Sequence, residues 1–479
     1  MRNIILIIFA SIQFFGCSLS LKFISTFTNK NNLNKEISKV LEDSIFSKTQ
    51  IGIEVVSLTK GDILFSKNSN LLFHPASNQK LITSIALIDN FSSDENIPTR
   101  IYTDSISKNG TAYNIYLKGF GDPLFTANKL NLMILHMKNI GINNISGNIY
   151  ADISFFDDGW GNGWMWTDEP YYYAAYTSPL TIEQNSVKVI VKPNLIGEKP
   201  IVSLIPETEF IEIKNNAITT SINSKSKIEI SRNSFDRNNV IIIEGDLPVS
   251  KDSIFEHISV INPEKYFLSL FKNKLINNEI TFNGDLLIGE TKNNSKLISE
   301  HLEPIDTIIS FLNKTSDNLS GENMLKHMSS KIISVPGSTK KGIWLLNKSL
   351  SKNNIDTNSI IIVDGSGMSN YNLNSAKNFV TLLKSIYNQP TAFSRLYNSL
   401  PIAGVDGTLK SRMVNTNAKN NLRAKTGTHS GMCTLTGFVK SKNGEVIAFS
   451  IMIQNYIGSA QKYRNAQDLI GEILANFNR

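Results

Sequence analysis

The stretch His74-Pro75-Ala76-Ser77-Asn78-Gln79-Lys80-Leu81-Ile82-Thr83-Ser84-Ile85-Ala86-Leu87-Ile88 opens with proline and runs into a broad apolar face of Leu81, Ile82, Ile85, Ala86, Leu87 and Ile88. That is how a buried helix begins. On it, Ser77 and Lys80 are three residues apart, a spacing that puts a hydroxyl and an amine on one helix face. Ser77 also falls at the predicted helix start, where exposed backbone N–H groups and the positive dipole end favour a developing oxyanion. Spacing alone decides nothing, since Ser-x-x-Lys recurs at Ser57/Lys60 and Ser338/Lys341 among other places.

Outward from this helix the chain changes character twice. On its N-terminal side a polar stretch, Thr26 to Asn34, precedes an amphipathic helical pattern from Glu36 to Phe46. A hairpin follows, from Gln50 to Leu58 and Ile63 to Ser66 around Thr59-Lys60-Gly61-Asp62. From about Pro98 to Gly289 short β-rich runs separated by Asn, Gly, Ser and Pro dominate. Helical periodicity returns at Ile305 to Leu312 and Asn323 to Ile333. A second hairpin, Cys433 to Val439 and Glu445 to Ile453 around Asn443-Gly444, precedes a last helix from about Ala460 to Asn476. The outline is an α/β domain made of both chain ends and interrupted by a β-rich insertion. At 479 residues, and roughly 150 residues per domain, about three domains are expected.

Two further motifs give Ser77 its context. Ser316-Asp317-Asn318 lies far downstream, and Lys425-Thr426-Gly427-Thr428 follows on a predicted strand; Lys-Thr-Gly occurs once in the chain. Acyl transfer needs what these residues offer: a hydroxyl nucleophile in Ser77, a base in Lys80 kept neutral by burial and by nearby Lys425, and a proton relay in Ser316. The Asn318 amide can bind a peptide group. Lys425 with the hydroxyls of Thr426 and Thr428 can hold a carboxylate, and Gly427 would let a substrate backbone lie against the strand. The backbone N–H groups of Ser77 and Thr428 would form an oxyanion hole.

SxxK, SDN and KTG in this order resemble the active-serine set of penicillin-binding proteins and class A β-lactamases. The likeness extends over Leu117-Lys-Gly-Phe-Gly-Asp-Pro123, Trp160-Gly-Asn-Gly-Trp-Met-Trp166 through Asp168-Glu-Pro-Tyr-Tyr-Tyr173, Val363-Asp-Gly-Ser-Gly-Met-Ser369 and Pro401-Ile-Ala-Gly-Val-Asp-Gly-Thr408. The chain thus resembles the low-molecular-mass class C penicillin-binding proteins, the D-alanyl-D-alanine carboxypeptidase/endopeptidase family with domains inserted after the SxxK helix. The resemblance implies an α/β (α+β) fold: a penicillin-recognising serine transpeptidase/β-lactamase-like domain, its antiparallel five-stranded sheet flanked by helices, with nested β-rich insertions. The expected partition is a signal segment at 1–17, a catalytic domain at 30–95 plus 290–479, an inserted domain at 96–120 plus 190–289, and a second nested insertion at 121–189. It further implies a Ser77 acyl-enzyme on peptidoglycan stem peptides, covalent capture of β-lactam antibiotics, and no cofactor. Family members that recognise diaminopimelate use an Asp of the insertion, an Arg and residues after KTG. Asp152 and Ser430 fill two of those places here, but the Arg place holds Asn370, which cannot make a bidentate charge-assisted contact.

Other features narrow the reading. Met1 to Asn3 followed by the apolar run Ile4 to Phe15 is too short for the roughly 20 residues that span a bilayer and fits a secretory signal, so the periplasm or cell envelope is expected. Cys17 then stands either as a lipidated residue anchoring the chain to a membrane or beside an ordinary cleavage site. With Cys433 as the only other cysteine, no disulfide framework exists, and Cys433 reads as a buried strand residue. The net charge of +7 is spread along the chain, which excludes a focused nucleic-acid patch. None of the six histidines pairs at metal-ligand spacing in sequence, so no metal is expected. Asp122 reads as a turn residue, Asp364, Gly365 and Gly367 as shaping a loop near the cleft, and the tryptophans and tyrosines of 160–173 as a rigid self-packed loop rather than a sugar platform. Two other functions compete: a β-lactamase, disfavoured because no Glu-bearing loop positions a deacylating water, and a non-catalytic peptidoglycan-binding lipoprotein, which would have no need of the full set of reactive residues.

Overall fold

The two hairpins read from the sequence meet in one sheet. Strand Gln50–Ser57 pairs along its whole length with Val446–Gln454, giving the antiparallel order Arg423–His429, Met432–Lys440, Val446–Gln454, Gln50–Ser57, Ile63–Lys67. Successive side chains point to opposite faces. Ile51, Ile53, Val55, Phe449 and Ile451 therefore enter one core, closed by helices Lys30–Leu41 and Gln461–Asn476. Val56, Phe438, Ala448 and Met452 enter the other, where helix Gln79–Asn90 is buried along nearly its whole length. The computed structural model describes residues 30–479; the signal and Cys17 readings lie outside the described residues.

The inserted region departs from the expected partition. Its main sheet has the order Leu286–Ile288, Ile149–Asp152, Ile115–Gly119, Asn96–Thr103, Lys296–Pro304. Strand Ile149–Asp152, expected in the nested unit at 121–189, is thus flanked by strands of the outer one. Strand Lys296–Pro304, expected in the catalytic domain, pairs with Asn96–Thr103. Among the described residues three of the four smaller sheets lie between Ser186 and Ser259, so Ser186–Lys192 crosses the expected boundary at 189/190, and the fourth joins Thr281–Phe282, Asn144–Ile145 and Thr111–Ala112. Strand partners are non-local, and composition carries no signal of them. Two long helices, Ala127–Asn139 and Pro263–Asn277, also stand in a stretch expected to be β-rich. Leu130, Met133, Ile134 and Met137 form a helical stripe, but exposed Leu132 and Leu135 interrupt it with further apolar residues and hide the period. All of this closes on one apolar core of its own, including Ile101, Leu117, Ile149, Val189 and Phe267.

Smaller shifts have local causes. The first helix runs Lys30–Leu41 rather than Glu36 to Phe46, because the Asp43 carboxylate accepts from the Ile45 N–H and starts a separate 3-10 turn, Ser44–Phe46. Helix Asn318–Ile332 starts five residues before its expected place, capped by Asp317, whose carboxylate accepts from the Ser320 N–H at 2.6 Å.

Candidate active site

Ser77 sits in a 3-10 turn, Ala76–Asn78, that leads into helix Gln79–Asn90. One turn on, the fully buried Lys80 ammonium donates to Ser77 Oγ at 3.0 Å, to Asn318 Oδ1 at 2.6 Å and to the Ser366 carbonyl at 2.7 Å. Lys425, equally buried on the adjoining strand, donates to Ser316 Oγ at 2.8 Å and to the Thr426 carbonyl at 2.9 Å. The backbone is left-handed at Ala76 (φ 45°) and Ser316 (φ 64°), uncommon values for residues with a Cβ that store strain beside both hydroxyls. Ser77, Ser316, Asn318 and Thr428 line one cavity of about 340 Å³, with His429 and Ser430 at its edge. The three remote motifs thus converge on a shared space.

The electrostatics set the two lysines against their surroundings. Burial pushes Lys80 down to about 8, against the pull of Asp317, Asp364 and Glu322, whose negative charges favour the ammonium. Burial, then the Lys80 charge, holds Lys425 well below the ordinary lysine range. Burial, reinforced by Asp364, lifts Glu322 to about 7. Glu322 also positions the base. Its Oε1 accepts from the N–H groups of Gly365 (3.0 Å) and Ser366 (2.8 Å), and so fixes the carbonyl on which Lys80 rests. Asp364 ties the same loop to the insertion, accepting from the Ser369 N–H and from Trp164 Nε1 at 3.0 Å.

Three expected residues stand elsewhere or act otherwise. Asp152 does not line the cavity. It is fully buried at a strand end and accepts from Lys118 Nζ (2.9 Å), Ser154 Oγ (2.6 Å) and the Thr291 N–H (2.8 Å). Burial alone would raise its carboxyl, but these donors hold it at about 2. The carboxylate that does face the cavity is Asp168, beside Tyr173, whose hydroxyl donates to it at 3.2 Å. Gly427 is also required by packing: a Cβ there would strike Thr434 Oγ1 and press on Pro75 and Ala76 of the Ser77 turn. Thr426 donates to Thr408 Oγ1 at 2.7 Å and is not in the cavity wall.

Sequence reasoning also passed over Arg464, on the last helix, whose guanidinium donates to Thr428 Oγ1 at 3.0 Å. One histidine meets carboxylates: Asp122, far off in sequence, joins His301 and Glu303, and the three offer ligand-capable atoms within 4.8 Å of one another. Lys129 pairs with Glu303 there, and Asp122 Oδ1 accepts from the Leu124 N–H at 2.8 Å in a local turn. Trp160 and Trp164 are turned inward with both indole N–H groups bonded, as expected of a self-packed loop, but Trp166, Tyr172 and Tyr173 are exposed.

An antiparallel five-stranded sheet flanked by helices, with a serine, two lysines and an asparagine gathered at its edge, defines the penicillin-recognising active-serine fold. The crystal structure of penicillin-binding protein 4 (dacB) from Haemophilus influenzae superposes with a TM-score of 0.82 at 23% identity, over 92% of this chain and 98% of that one. A penicillin G-acylated predatory endopeptidase from Bdellovibrio bacteriovorus shares the fold more distantly, with a TM-score of 0.50 at 15% identity over 89% and 91%. The chain belongs to the D-Ala-D-Ala carboxypeptidase 3 (S13) family, whose profile matches residues 33–477. It is 30% identical over 463 residues to the D-alanyl-D-alanine carboxypeptidase of Actinomadura sp. (strain R39), covering 93% of this chain and 85% of the relative. With the D-alanyl-D-alanine carboxypeptidase DacB of H. influenzae it shares 25% over 444 residues, 91% of each.

Proposed function

We propose that this chain is a serine D-alanyl-D-alanine carboxypeptidase, also able to act as a D,D-endopeptidase, on peptidoglycan stem peptides. The observation that carries the reading is the Lys80 Nζ to Ser77 Oγ contact of 3.0 Å in a cavity also walled by Ser316, Asn318 and Thr428. Neutral Lys80 takes the Ser77 proton as Oγ attacks the carbonyl of the terminal D-Ala-D-Ala bond. The backbone N–H groups of Ser77 and Thr428 receive the oxyanion, each such donor contributing roughly 3 kcal/mol. The C–N bond breaks as a proton passes through Ser316, held by Lys425, to the leaving amine. Water then hydrolyses the Ser77 ester, and Lys80 is again the base. Lys425 and Thr428, the latter positioned by Arg464, hold the substrate's C-terminal carboxylate, and Asn318 its peptide group.

Asp168 takes over the role expected of Asp152. With Asn370 in place of the family Arg, and no ion pair to Asp168 among the described residues, the Asp168 wall suits an amine-bearing third residue. A β-lactam enters the same path and stays as the acyl-enzyme, because its ring opens without releasing the amine, which remains attached and keeps water from the Ser77 ester. Action on wall peptides requires export, for which Met1 to Cys17 supplies the signal; metabolic labelling with a fatty acid decides whether Cys17 is lipidated.

The test is D-alanine release from a pentapeptide stem, together with fluorescent-penicillin labelling mapped by mass spectrometry. Release that Ser77→Ala abolishes, with the label on Ser77, supports the reading. Unchanged release by Ser77→Ala, or rapid nitrocefin turnover, would refute it.

A further inference from the structure

Exposed aromatic rings gather on the inserted region, where Tyr173 brings them to the cavity. Phe235 is 79% exposed and lies 5.4 Å from Trp166, itself 41% exposed. On the same loop Tyr173 lines the cavity and lies 5.8 Å from Tyr172, 43% exposed. Tyr172 lies 5.8 Å from His257, and His257 lies 6.0 Å from Phe255, which is 58% exposed. The pairings Phe255↔Ile190 and His257↔Lys188 put these last rings on the open face of a three-stranded sheet, with Lys188 Nζ 4.0 Å above the Phe255 ring.

Rings of this size left in water mark an interaction surface. Two features define the partner. The rings stand in small groups interleaved with polar side chains (Asp168, Lys188, Glu256, His257) rather than in one aliphatic patch, which suits a ligand with alternating C–H faces and hydroxyls. Tyr172, His257 and Phe255 are continuous with the cavity through Tyr173, and Trp166 shares a turn with the cavity-lining Asp168, so the partner is attached to what the cavity holds. We propose that this rim is a glycan-binding shelf on which the sugar strand bearing the stem peptide stacks its pyranose faces. The site rests on the carboxypeptidase reading for its substrate, but its test does not.

Peptide-free glycan strands, prepared by amidase digestion of sacculi, are titrated against the full-length protein and against Trp166→Ala/Phe235→Ala and Tyr172→Ala/Phe255→Ala. The unaltered protein should bind the strands, and each double variant should bind about tenfold or more weakly. D-alanine release from a soluble pentapeptide should change less than about twofold in the same preparations, while release from intact sacculi falls with glycan affinity. No binding by the unaltered protein, or binding indifferent to both pairs of substitutions, overturns the shelf. Loss of pentapeptide release in the unaltered protein would instead strike the carboxypeptidase reading, leaving glycan binding to be read on its own.

Discussion

The floor of the cleft and its inserted rim are built on opposite principles. On the floor the two reactive amines are held by fixed partners: Lys80 has three acceptors, Lys425 two, and the loop beneath them is pinned by Glu322 and Asp364. On the rim, Trp166, Phe235, Tyr172 and Phe255 face solvent. A group that must react needs neighbours that do not reorganise. A surface that must hold a long, variable polymer needs only area. Within the inserted region a buried ion pair ties the rim loop to the inserted strands, Arg232 with Glu169, in which the guanidinium donates to the carboxylate at 2.9 Å and also to the Ser259 hydroxyl and carbonyl.

The sharpest break comes at the floor. Ser77→Ala should lower D-alanine release by about 10⁴-fold or more, the scale seen when a serine nucleophile is removed, while glycan binding by the rim stays unchanged. A joint loss would show that the two regions are not separable.

The next largest effect belongs to the rim's own support. Arg232→Met leaves Glu169 buried without its counter-charge and should cost about 3–5 kcal/mol, read by urea denaturation. Penicillin labelling of Ser77 should outlast the loss of the insertion's structure. Labelling lost in parallel would mean that body and insertion unfold as one unit.

A smaller effect sharpens the picture of the floor itself. Because burial brings Lys80 down to about 8 and the neutral amine is the base, the second-order rate of Ser77 acylation should rise with pH. The slope should be about tenfold per unit below that value, with a plateau above it. A flat profile between pH 6 and 9 would exclude Lys80 as the base.

The smallest expected change is Asp317→Ala. It removes the cap of helix Asn318–Ile332 and should cost about 1 kcal/mol in thermal unfolding. Losing a negative charge that favours the Lys80 ammonium should also move the acylation profile to lower pH. A shift to higher pH would show that Asp317 acts on Lys80 by some route other than its charge.

Much of the floor was legible in the sequence because its chemistry is carried by short motifs. Ser77 and Lys80 meet through a single helix turn, and Lys425 reaches Ser316 from a strand that Lys-Thr-Gly marks. Both hairpins of the central sheet could be read from alternation and from Asn443-Gly444. What could not be read was which Asp of the insertion turns toward the cavity. Asp152 and Asp168 are both plausible in a linear text. Only the pairing of Ile149–Asp152 with its neighbours buries the first against Lys118, Ser154 and Thr291, leaving the second at the wall.

The sequence by itself determined the reactive groups, their local spacing and the alternation of the central strands, because these depend on bonds and dihedrals within a few residues. The tertiary structure alone decided that Arg464 meets Thr428, that Glu322 holds the carbonyl beneath Lys80, that Gly427 yields to the Ser77 turn, and how the inserted strands divide into sheets. Each of those rests on segments far apart in the chain, whose approach is set by the packing of whole layers and leaves no mark on the residues near either one.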